Sequence, residues 1–351
     1  MKKTLKFIFS IILSIFLFSF FSCNDAIFSD IRNEVELDNA KISGPVLSIV
    51  RYKDNIFAVN GRVYYQSKSA AERSWVEMPT NMTGIIYDLA ADQSNLYACT
   101  LLFEDDNDGY NVPTTRTLWR YDGSSWSAIY SAAYSSLVDF YVFCTNTPKE
   151  ANRKAFFKYG SSVYELNDTS ENYMAELNSS SYTIFGNSIS SVKSATVLNG
   201  KVILSIYRAT TSNETEENEA TYVYTATRSV ISYSTDGTNW TTVSTDSDDI
   251  LSIGFSQDYM LLGTGEGIQH VLISDNVPQS STQDFNNNAA SALSSYYVID
   301  SLLVVDPSKS EYTTPIFAST EFDGSSSSTS ATLTNVGLWG YYPSKGEWNR
   351  Q

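Results

Sequence analysis

The amino-acid sequence predicts an all-β fold, and three features support this prediction. Short runs rich in Val, Ile, Tyr and Phe alternate with Asp, Asn, Gly and Ser, as strands alternate with tight turns. No long run has the period of an amphipathic helix. A strand, a Gly turn and an aromatic residue also follow one another repeatedly. The clearest strand runs are Leu47–Tyr52, Asn55–Val59, Arg62–Tyr65, Leu96–Leu101, Val202–Tyr207 and Tyr259–Gly263.

The repeated unit predicts how the strands are grouped. Three segments carry it most clearly, namely Leu118–Trp126, Ile231–Trp240 and Leu338–Trp348, and weaker copies lie between them. The residues that close the six units are Trp75, Trp126, Tyr173, Trp240, Phe285 and Trp348. Their mean spacing of about 55 residues is near that of propeller blades with longer loops. We therefore expect a six-bladed β-propeller over residues 45–351, with seven blades as the alternative.

The turns of these units have a physical rationale. Gly tolerates positive φ, and an Asp side chain can bond the backbone of its own turn, so Asp-Gly suits a tight hairpin. The aromatic residue after the turn is then expected to pack between neighbouring blades. The residues assigned these structural roles are Asp122, Gly123, Trp126, Asp236, Gly237, Trp240 and Trp348.

One of these turns resembles a known motif. Ser234–Trp240 is similar to the Asp-box of sialidase-like propellers, although it lacks the residue normally found between Asp and Gly. In that family the box lies on the outer edge of a blade, away from the active site. The resemblance therefore implies a fold and does not imply a chemistry.

The N-terminus has the order of an export signal. Three lysines precede the apolar run Phe7–Phe21, and Ser22 stands before Cys23. This order resembles the leader of bacterial lipoproteins, in a relaxed, spirochaete-like form because Phe20 replaces the usual Leu. The resemblance implies a signal peptide over residues 1–22, a lipid such as palmitate on Cys23, and a polar tether over residues 23–44.

Two alternatives to lipidation remain open. The chain could keep an uncleaved membrane anchor, or it could be an ordinary secreted protein. The apolar run is short for a membrane-spanning helix, which needs about 20 residues. Lipidation predicts a protein of the bacterial cell envelope, held at the outer membrane or the cell surface.

Composition excludes several classes of partner. The formal net charge is −16. The leader contains three lysines and no acidic residue, so the chain without its leader is more negative still. Nucleic acid is excluded because its recognition rests on basic residues that neutralise phosphates. An anionic membrane surface would also repel the chain. The content of 24 Tyr and 18 Phe excludes a disordered protein and supplies a core.

The candidate metal ligands form one acidic loop. Glu104, Asp106 and Asp108 alternate before a Gly, like the first half of a calcium loop. The twelfth position is Thr115 where such loops carry a bidentate Glu, so a solvated loop is the first interpretation and calcium the second. A single histidine and no paired-Cys spacing exclude zinc. No cofactor is expected.

Two further segments, 211–220 and 324–334, are expected to be surface loops.

The remaining chemistry-bearing residues are few. Cys99 and Cys144 form either a disulfide or two buried thiols, because an exported chain allows both. His270 lies in a predicted strand and has no nucleophile elbow beside it. The alternating glycines of Gly263–Gly267 indicate a hairpin turn, because no helix follows them to make a phosphate site.

Two function classes compete for this sequence. A sialidase-like glycoside hydrolase would need a cluster of arginines with a Tyr nucleophile and a Glu. Only Arg51 and Arg208, each near the end of a predicted strand, are candidates for that cluster. The abundant Tyr, Ser, Asn and Thr suit a binding surface for a protein or a glycan. We therefore expect a non-enzymatic binding module that uses one loop face near the central channel, with the hydrolase as the alternative.

Overall fold

The computed structural model describes the chain from residue 41 onward with several gaps. The described residues are 41–70, 74–106, 108–145, 153–177, 191–198, 201–215, 221–234, 239–243, 250–256, 258–265, 267–274, 277–284, 297–309, 313–322, 336–344 and 347–351. The predicted signal peptide, Cys23 and nearly all of the predicted tether lie outside them.

Within these ranges the chain forms six four-stranded sheets. The first sheet contains β1 (Ser48–Tyr52), β2 (Asn55–Val59), β3 (Val63–Ser67) and β4 (Val76–Glu77). The second sheet contains β5 (Ile85–Ala91), β6 (Leu96–Asp105), β7 (Asn111–Tyr121) and β8 (Trp126–Ala133). The third sheet contains β9 (Phe140–Cys144), β10 (Ala155–Tyr159), β11 (Ser162–Leu166) and β12 (Met174–Glu176). The fourth sheet contains β13 (Ser191–Leu198), β14 (Lys201–Thr215), β15 (Thr221–Ser234) and β16 (Trp240–Val243). The fifth sheet contains β17 (Ile250–Phe255), β18 (Tyr259–Thr264), β19 (Gly267–Ser274) and β20 (Val277–Asp284). The last sheet contains β21 (Tyr297–Val304), β22 (Ile316–Phe322), β23 (Gly337–Tyr342) and β24 (Glu347–Arg350). A short 3₁₀ helix spans Glu171–Tyr173.

Each sheet is a simple meander in which every strand lies beside the next strand of the chain. Two of the second strands are buried along almost their whole length: four of the five residues of β2 and all six residues of β18. When both faces of a sheet are covered, the sequence of a strand in it is a nearly continuous apolar run. The sequence pattern Tyr-Met-Leu-Leu-Gly-Thr of β18 therefore indicates a sheet with a neighbour on each face.

The sheets follow one another in a cyclic order. The first strands β1, β5, β9, β13, β17 and β21 each contact the next one along the chain, and β21 contacts β1. Such a succession of four-stranded meanders around a common centre is the architecture of a β-propeller. The predicted all-β class is confirmed by these sheets.

Apolar side chains fill the spaces between neighbouring sheets. Trp126 lies 5% exposed between the first and second sheets, with its ring 5.1 Å from that of Tyr121. Trp348 belongs to the cluster between the fifth and last sheets. Trp75 packs edge-on against Phe317 of β22, with ring centroids 5.6 Å apart. In these three units the closing aromatic residue thus lies between sheets.

The Asp122 turn is stabilised by its own side chain. Oδ1 of Asp122 accepts hydrogen bonds from the backbone N–H groups of Ser124 at 2.8 Å and Ser125 at 3.0 Å. Gly123 has φ of 103°, a conformation that side chains disfavour. The other predicted turn, with Asp236 and Gly237, lies outside the described residues. Trp240 begins β16, and its side chain is not described.

The N-terminal segment of the described chain packs against the last sheet. The backbone N–H of Val46 donates to Ser319 Oγ at 2.7 Å, and Ser301 Oγ donates to the carbonyl of Leu47 at 3.0 Å. Ile42 is fully buried in the apolar cluster between the first and last sheets. Ile42, which the sequence assigns to a polar tether, is therefore packed in the apolar core.

One predicted loop is instead part of a long hairpin. Residues 211–215 of the expected surface loop 211–220 continue β14, where they pair with Thr221–Thr225 of β15. The β-branched residues Thr210 and Thr211 extend the strand, and only residues 216–220 fall outside the description. The second predicted loop, 324–334, lies wholly outside the described residues.

Candidate functional site

A cavity of about 510 Å³ lies at the centre of the first strands. Its walls come from β1, β5, β9, β17 and β21, together with Glu321 of β22 and two residues between β9 and β10. Each of these first strands is the edge strand of its sheet, so its outer edge faces the cavity. The cavity is called the channel below.

The first strands run in the same direction along the channel. Ser301, in the middle of β21, bonds the carbonyl of Leu47, which directly precedes β1. Arg51, near the end of β1, bonds the carbonyl of Val305, which directly follows β21. From Leu47 to Arg51 and from Ser301 to Val305 the two strands therefore run in the same direction. We call the end where the first strands begin the N-side and the other end the C-side.

Short polar side chains link four of the neighbouring pairs of first strands among the described residues. Ser48 Oγ of β1 bonds both the N–H of Leu89, at 3.2 Å, and its carbonyl, at 3.3 Å. Asp88 Oδ2 of β5 accepts from the N–H of Val142 of β9 at 3.1 Å. Ser252 Oγ of β17 donates to the carbonyl of Ile299 of β21 at 2.9 Å.

Together with the Ser301 bond, these bonds join β1 to β5, β5 to β9, β17 to β21 and β21 to β1. They satisfy backbone groups on edges that no neighbouring strand pairs. The walls of the channel are thereby held in a fixed geometry, which is the condition for a preorganised site.

A β-bulge recurs on the first strands just before these linking residues. The register shifts between Ile86 and Asp88, between Ile250 and Ser252, and between Ile299 and Ser301. The extra residues are Tyr87, Leu251 and Asp300, and all three line the channel. A fourth shift on β13 surrounds Lys193, whose side chain is not described. Bulges re-aim side chains and are frequent next to functional sites.

The C-side of the channel contains two buried guanidiniums. Arg51 is 4% exposed and donates from Nη1 to the carbonyl of Val305 at 2.9 Å. Arg153, between β9 and β10, is 5% exposed and donates from Nη1 to the carbonyl of Arg51. Both guanidiniums thus bond backbone carbonyls at the C-side of the channel.

The N-side contains acidic and aromatic groups. Glu321 lines the channel there, because it pairs in register with Val298 near the beginning of β21, and Asp300 lies two residues farther along that strand. Tyr141 and Tyr87 add aromatic surface, and the Tyr87 hydroxyl donates to the carbonyl of Phe140 at 2.7 Å. Burial raises the pKa of Tyr87, so this hydroxyl stays protonated and keeps its donor role.

The two cysteines beside the channel are free thiols. Cys99 is fully buried on β6, and Cys144 is partly buried at the end of β9, where it lines the channel. The sequence allows a disulfide or two thiols, and the structure contains the two thiols. Burial raises the pKa of both thiols, and for Cys144 the positive charge of Arg153 opposes this shift.

The two arginines predicted from the sequence lie on different strands. Arg51 lines the channel, whereas Arg208 lies on the second strand of the fourth sheet, opposite Arg228 of β15 and beyond the last residue of β13 that pairs with β14. The side chain of Arg208 is outside the described part. His270 lies on β19, buried against Tyr259 with ring centroids 5.2 Å apart. Gly263–Gly267 forms the hairpin between β18 and β19.

The acidic loop folds on itself. Oδ1 of Asp106 accepts from the N–H groups of Asp108 at 2.9 Å and Tyr110 at 2.8 Å. Across the described residues no group of three or more His, Cys, Asp and Glu side chains is placed to hold a metal ion, and this includes Glu104, Asp106 and Asp108.

The sequence interpretation missed Arg153, Asp88 and Asp300. A signal existed for the two acids, because each is a single charge inside an apolar strand run, Ile-Ile-Tyr-Asp-Leu and Tyr-Val-Ile-Asp-Ser-Leu-Leu. A charged residue in such a run is rarely buried without a partner or a function. Arg153 lies among other charged residues after β9 and carries no comparable signal.

Comparisons with known proteins give structural likenesses only. No family model matches the sequence, and no curated protein matches it. The structure of YjhT is 9% identical, over 81% of this chain and 93% of its own, with a TM-score of 0.46. The extracellular domain of BT4673 from B. thetaiotaomicron is 10% identical over 81% of this chain and 40% of its own, with a TM-score of 0.44.

A third likeness is to PorZ, a bacterial surface component of the type-IX secretion system of Porphyromonas gingivalis. It is 9% identical over 88% of this chain with a TM-score of 0.31, and this chain spans 42% of the PorZ chain. The propeller assignment rests on the sheets and contacts of this chain itself. No helix among the described residues has the length and apolar character needed to cross a membrane.

Proposed function

We propose that this protein is a binding module of the bacterial envelope, which takes a small ligand into its channel without changing it chemically. The observation that carries the proposal is the channel itself. Its volume of about 510 Å³ lies in the range of small-ligand sites, and its walls combine apolar surface with a few charged groups. The bonds between neighbouring first strands fix those groups before a ligand arrives.

The proposal includes the complete ring and its anchor. Six sheets in cyclic contact support a closed propeller of six blades. The order of lysines, apolar run, Ser22 and Cys23 supports a lipid on Cys23, and hence attachment to the envelope through the N-terminus. The ring would then present one end of its channel to the medium.

A glycoside hydrolase of the sialidase-like type is the second candidate. The observation that favours it is the presence of two arginines, a tyrosine and acids around one cavity, represented by Arg51, Arg153, Tyr141 and Glu321. Both arginines, however, donate to backbone carbonyls, and both oxygens of Asp88 accept backbone N–H groups. These groups have structural tasks, and binding is therefore the first proposal.

A ligand screen with a matched pair of variants tests the proposal. Leu251→Trp adds bulk to the channel wall, whereas Leu272→Trp adds the same bulk at a site on β19 that is 44% exposed. A channel ligand should raise the melting temperature of the native protein and of Leu272→Trp, and should not raise that of Leu251→Trp. Stabilisation that persists in Leu251→Trp would place the ligand elsewhere and refute the proposal.

Turnover decides between the two candidates. Sialylated and other glycosides are incubated with the purified protein and with Arg51→Ala and Arg208→Ala. The binding proposal expects no hydrolysis. Hydrolysis that either substitution abolishes would establish the hydrolase and overturn the non-enzymatic proposal.

A further inference from the structure

Five of the sheets each place one residue in the channel directly before a residue of the linking bonds. Three of these are the bulge residues, which stand before Asp88, Ser252 and Ser301. The other two stand before Ser48 and Val142, which take part in the same set of bonds. The five residues are Leu47, Tyr87, Tyr141, Leu251 and Asp300, and all of them line the channel.

Four of these five residues are uncharged and carry large side chains. Leu47 is 44% exposed, and Tyr87, Tyr141 and Leu251 are partly exposed, so each has surface left for a ligand. We call these four residues the belt. The Tyr87 hydroxyl already donates to the carbonyl of Phe140. Leucine and tyrosine side chains together favour a flat apolar group, because such a group packs well on both.

The charged side chains of the channel are engaged with the protein itself. Arg51 and Arg153 bond backbone carbonyls, and Asp88 accepts from the N–H groups of Leu89, at 2.9 Å, and Val142, at 3.1 Å. Each of the three charged groups also has a further interaction in the structure. These groups therefore have partners before a ligand enters.

The same three charges also offset one another around Cys144. Burial raises the pKa of its thiol, the charges of Arg153 and Arg51 oppose that shift, and the charge of Asp88 adds to it. All three groups thus lie within electrostatic reach of one side chain that lines the channel. The carboxylate weakens the field that the two guanidiniums would produce alone.

A charged ligand therefore gains little from this channel. Burying a charge that finds no partner of its own costs more than burying an uncharged group. At the N-side, Glu321 is exposed, and an exposed carboxylate attracts an ammonium group only weakly. Asp300 has a further interaction of its own in the structure. An uncharged ligand does not meet these costs.

We infer that the channel binds an uncharged ligand that places an apolar ring within the belt of Leu47, Tyr87, Tyr141 and Leu251. This inference rests on the proposed binding function and adds the charge class of the ligand and the surface that contacts it.

Naphthylethanol, naphthylacetate and naphthylethylamine are the probes, titrated into the full-length protein at neutral pH by calorimetry. They share one apolar ring system and differ in charge. Naphthylethanol should bind more tightly than either charged probe, by about tenfold. A charged probe that binds as tightly as naphthylethanol would overturn the inference, and so would the absence of binding by all three.

Asp88→Asn tests whether the carboxylate offsets the guanidiniums. This substitution removes the negative charge and keeps the size of the side chain, so naphthylacetate should gain about threefold in affinity relative to naphthylethanol. Glu77→Gln removes a charge from an exposed ion pair on β4 and is the control, which should leave the ratio of affinities unchanged. An unchanged ratio in folded Asp88→Asn would overturn the offset of charges as the reason for the selectivity.

Two positions in the belt test the contact surface. Leu251→Ala and Tyr141→Ala each remove apolar surface, so naphthylethanol should bind about fivefold more weakly to either variant. Leu272→Ala and Tyr110→Ala remove the same groups at positions that are 44% and 70% exposed, and these controls should bind it as the native protein does. Full affinity in folded Leu251→Ala and Tyr141→Ala would overturn the belt as the contact surface.

Circular dichroism melting shows which variants are folded, and loss of folding at one belt position leaves the other as the test. If the naphthyl probes fail but another compound stabilises the native protein and not Leu251→Trp, the inference about an uncharged ring falls and the proposed binding function stands. If no compound does so, both fall.

Discussion

Arg153 donates a hydrogen bond from Nη1 to the backbone carbonyl of Arg51, and this bond joins the third sheet to the first. The second sheet lies between them in the cyclic order. Arg51 in turn bonds the carbonyl of Val305 beside the last sheet. Two buried guanidiniums thus connect three sheets at the C-side of the channel.

Removal of the Arg153 side chain should destabilise the protein. Arg153→Ala leaves the carbonyl of Arg51 without this donor in a buried position, which costs about 1 to 3 kcal/mol. Urea denaturation followed by fluorescence measures the change in the free energy of unfolding. Arg62→Ala is the control and should change it by less than about 0.5 kcal/mol, because its ion pair is exposed. Equal effects of the two substitutions would contradict the proposed role of Arg153.

Gly263 is required where β18 passes close to its neighbours. A Cβ atom there would lie 2.5 Å from the carbonyl oxygen of Ile299, a backbone atom that cannot move aside freely. Gly263→Ala should therefore reduce the free energy of unfolding by about 1 to 3 kcal/mol.

Gly254→Ala in the same sheet is the matched control. Its Cβ would meet a side-chain methyl of Val304 at 3.2 Å, and that side chain can adjust. Gly254→Ala should lower the urea midpoint less than Gly263→Ala does. A larger decrease for Gly254→Ala would show that the close contact at Gly263 does not destabilise the protein.

The strands could be predicted from the sequence because local patterns determine them. Asn55–Val59 is both the predicted run and the observed β2, and Tyr259–Gly263 falls one residue short of β18. The length of β14 was missed, because the extension past Tyr207 pairs with β15 and is not marked by an apolar run.

The site was predictable only in part. Arg51 was found because it is a charge near the end of an apolar strand, but Arg153 comes from a connection whose partner is 102 residues away. Which strands border the channel depends on contacts between all sheets. No local pattern contains that information, so Asp300 and Arg153 could not be assigned to one cavity from the sequence.

Asp122 should make stability depend on pH in the acid range. Hydrogen bonds from Ser124 and Ser125 lower the pKa of its carboxyl from 3.8 to about 2. Because the folded pKa is depressed, this contribution is fully present above pH 3.8 and is lost as the pH falls through about 2.

The difference in the free energy of unfolding between the native protein and Asp122→Asn, which does not titrate, should therefore shrink between pH 5 and pH 2. A difference that is constant over this range would contradict the turn bonds. Titration of the carboxyl by NMR checks the pKa directly.

Cys23 should carry the membrane anchor. Expression of Cys23→Ser in a bacterial host that processes lipoproteins should move the protein from the detergent phase to the aqueous phase of a two-phase partition, because the lipid no longer forms. Ser22→Thr, which keeps a small residue before Cys23, is the control and should remain in the detergent phase. Detergent partitioning unchanged by Cys23→Ser would refute lipidation.

The two thiols should report separately on the channel and on the core. In a protein carrying Cys23→Ser, N-ethylmaleimide should modify Cys144, which lines the channel, and should leave Cys99, which is fully buried, until the protein unfolds. Burial raises the pKa of Cys144, so the reactive thiolate is scarce at neutral pH and the rate should still be rising above pH 9. Mass spectrometry of peptides measures both sites.

A ligand in the channel should slow modification of Cys144 by covering it. Modification of Cys99 before Cys144 would show that the channel does not reach the end of β9.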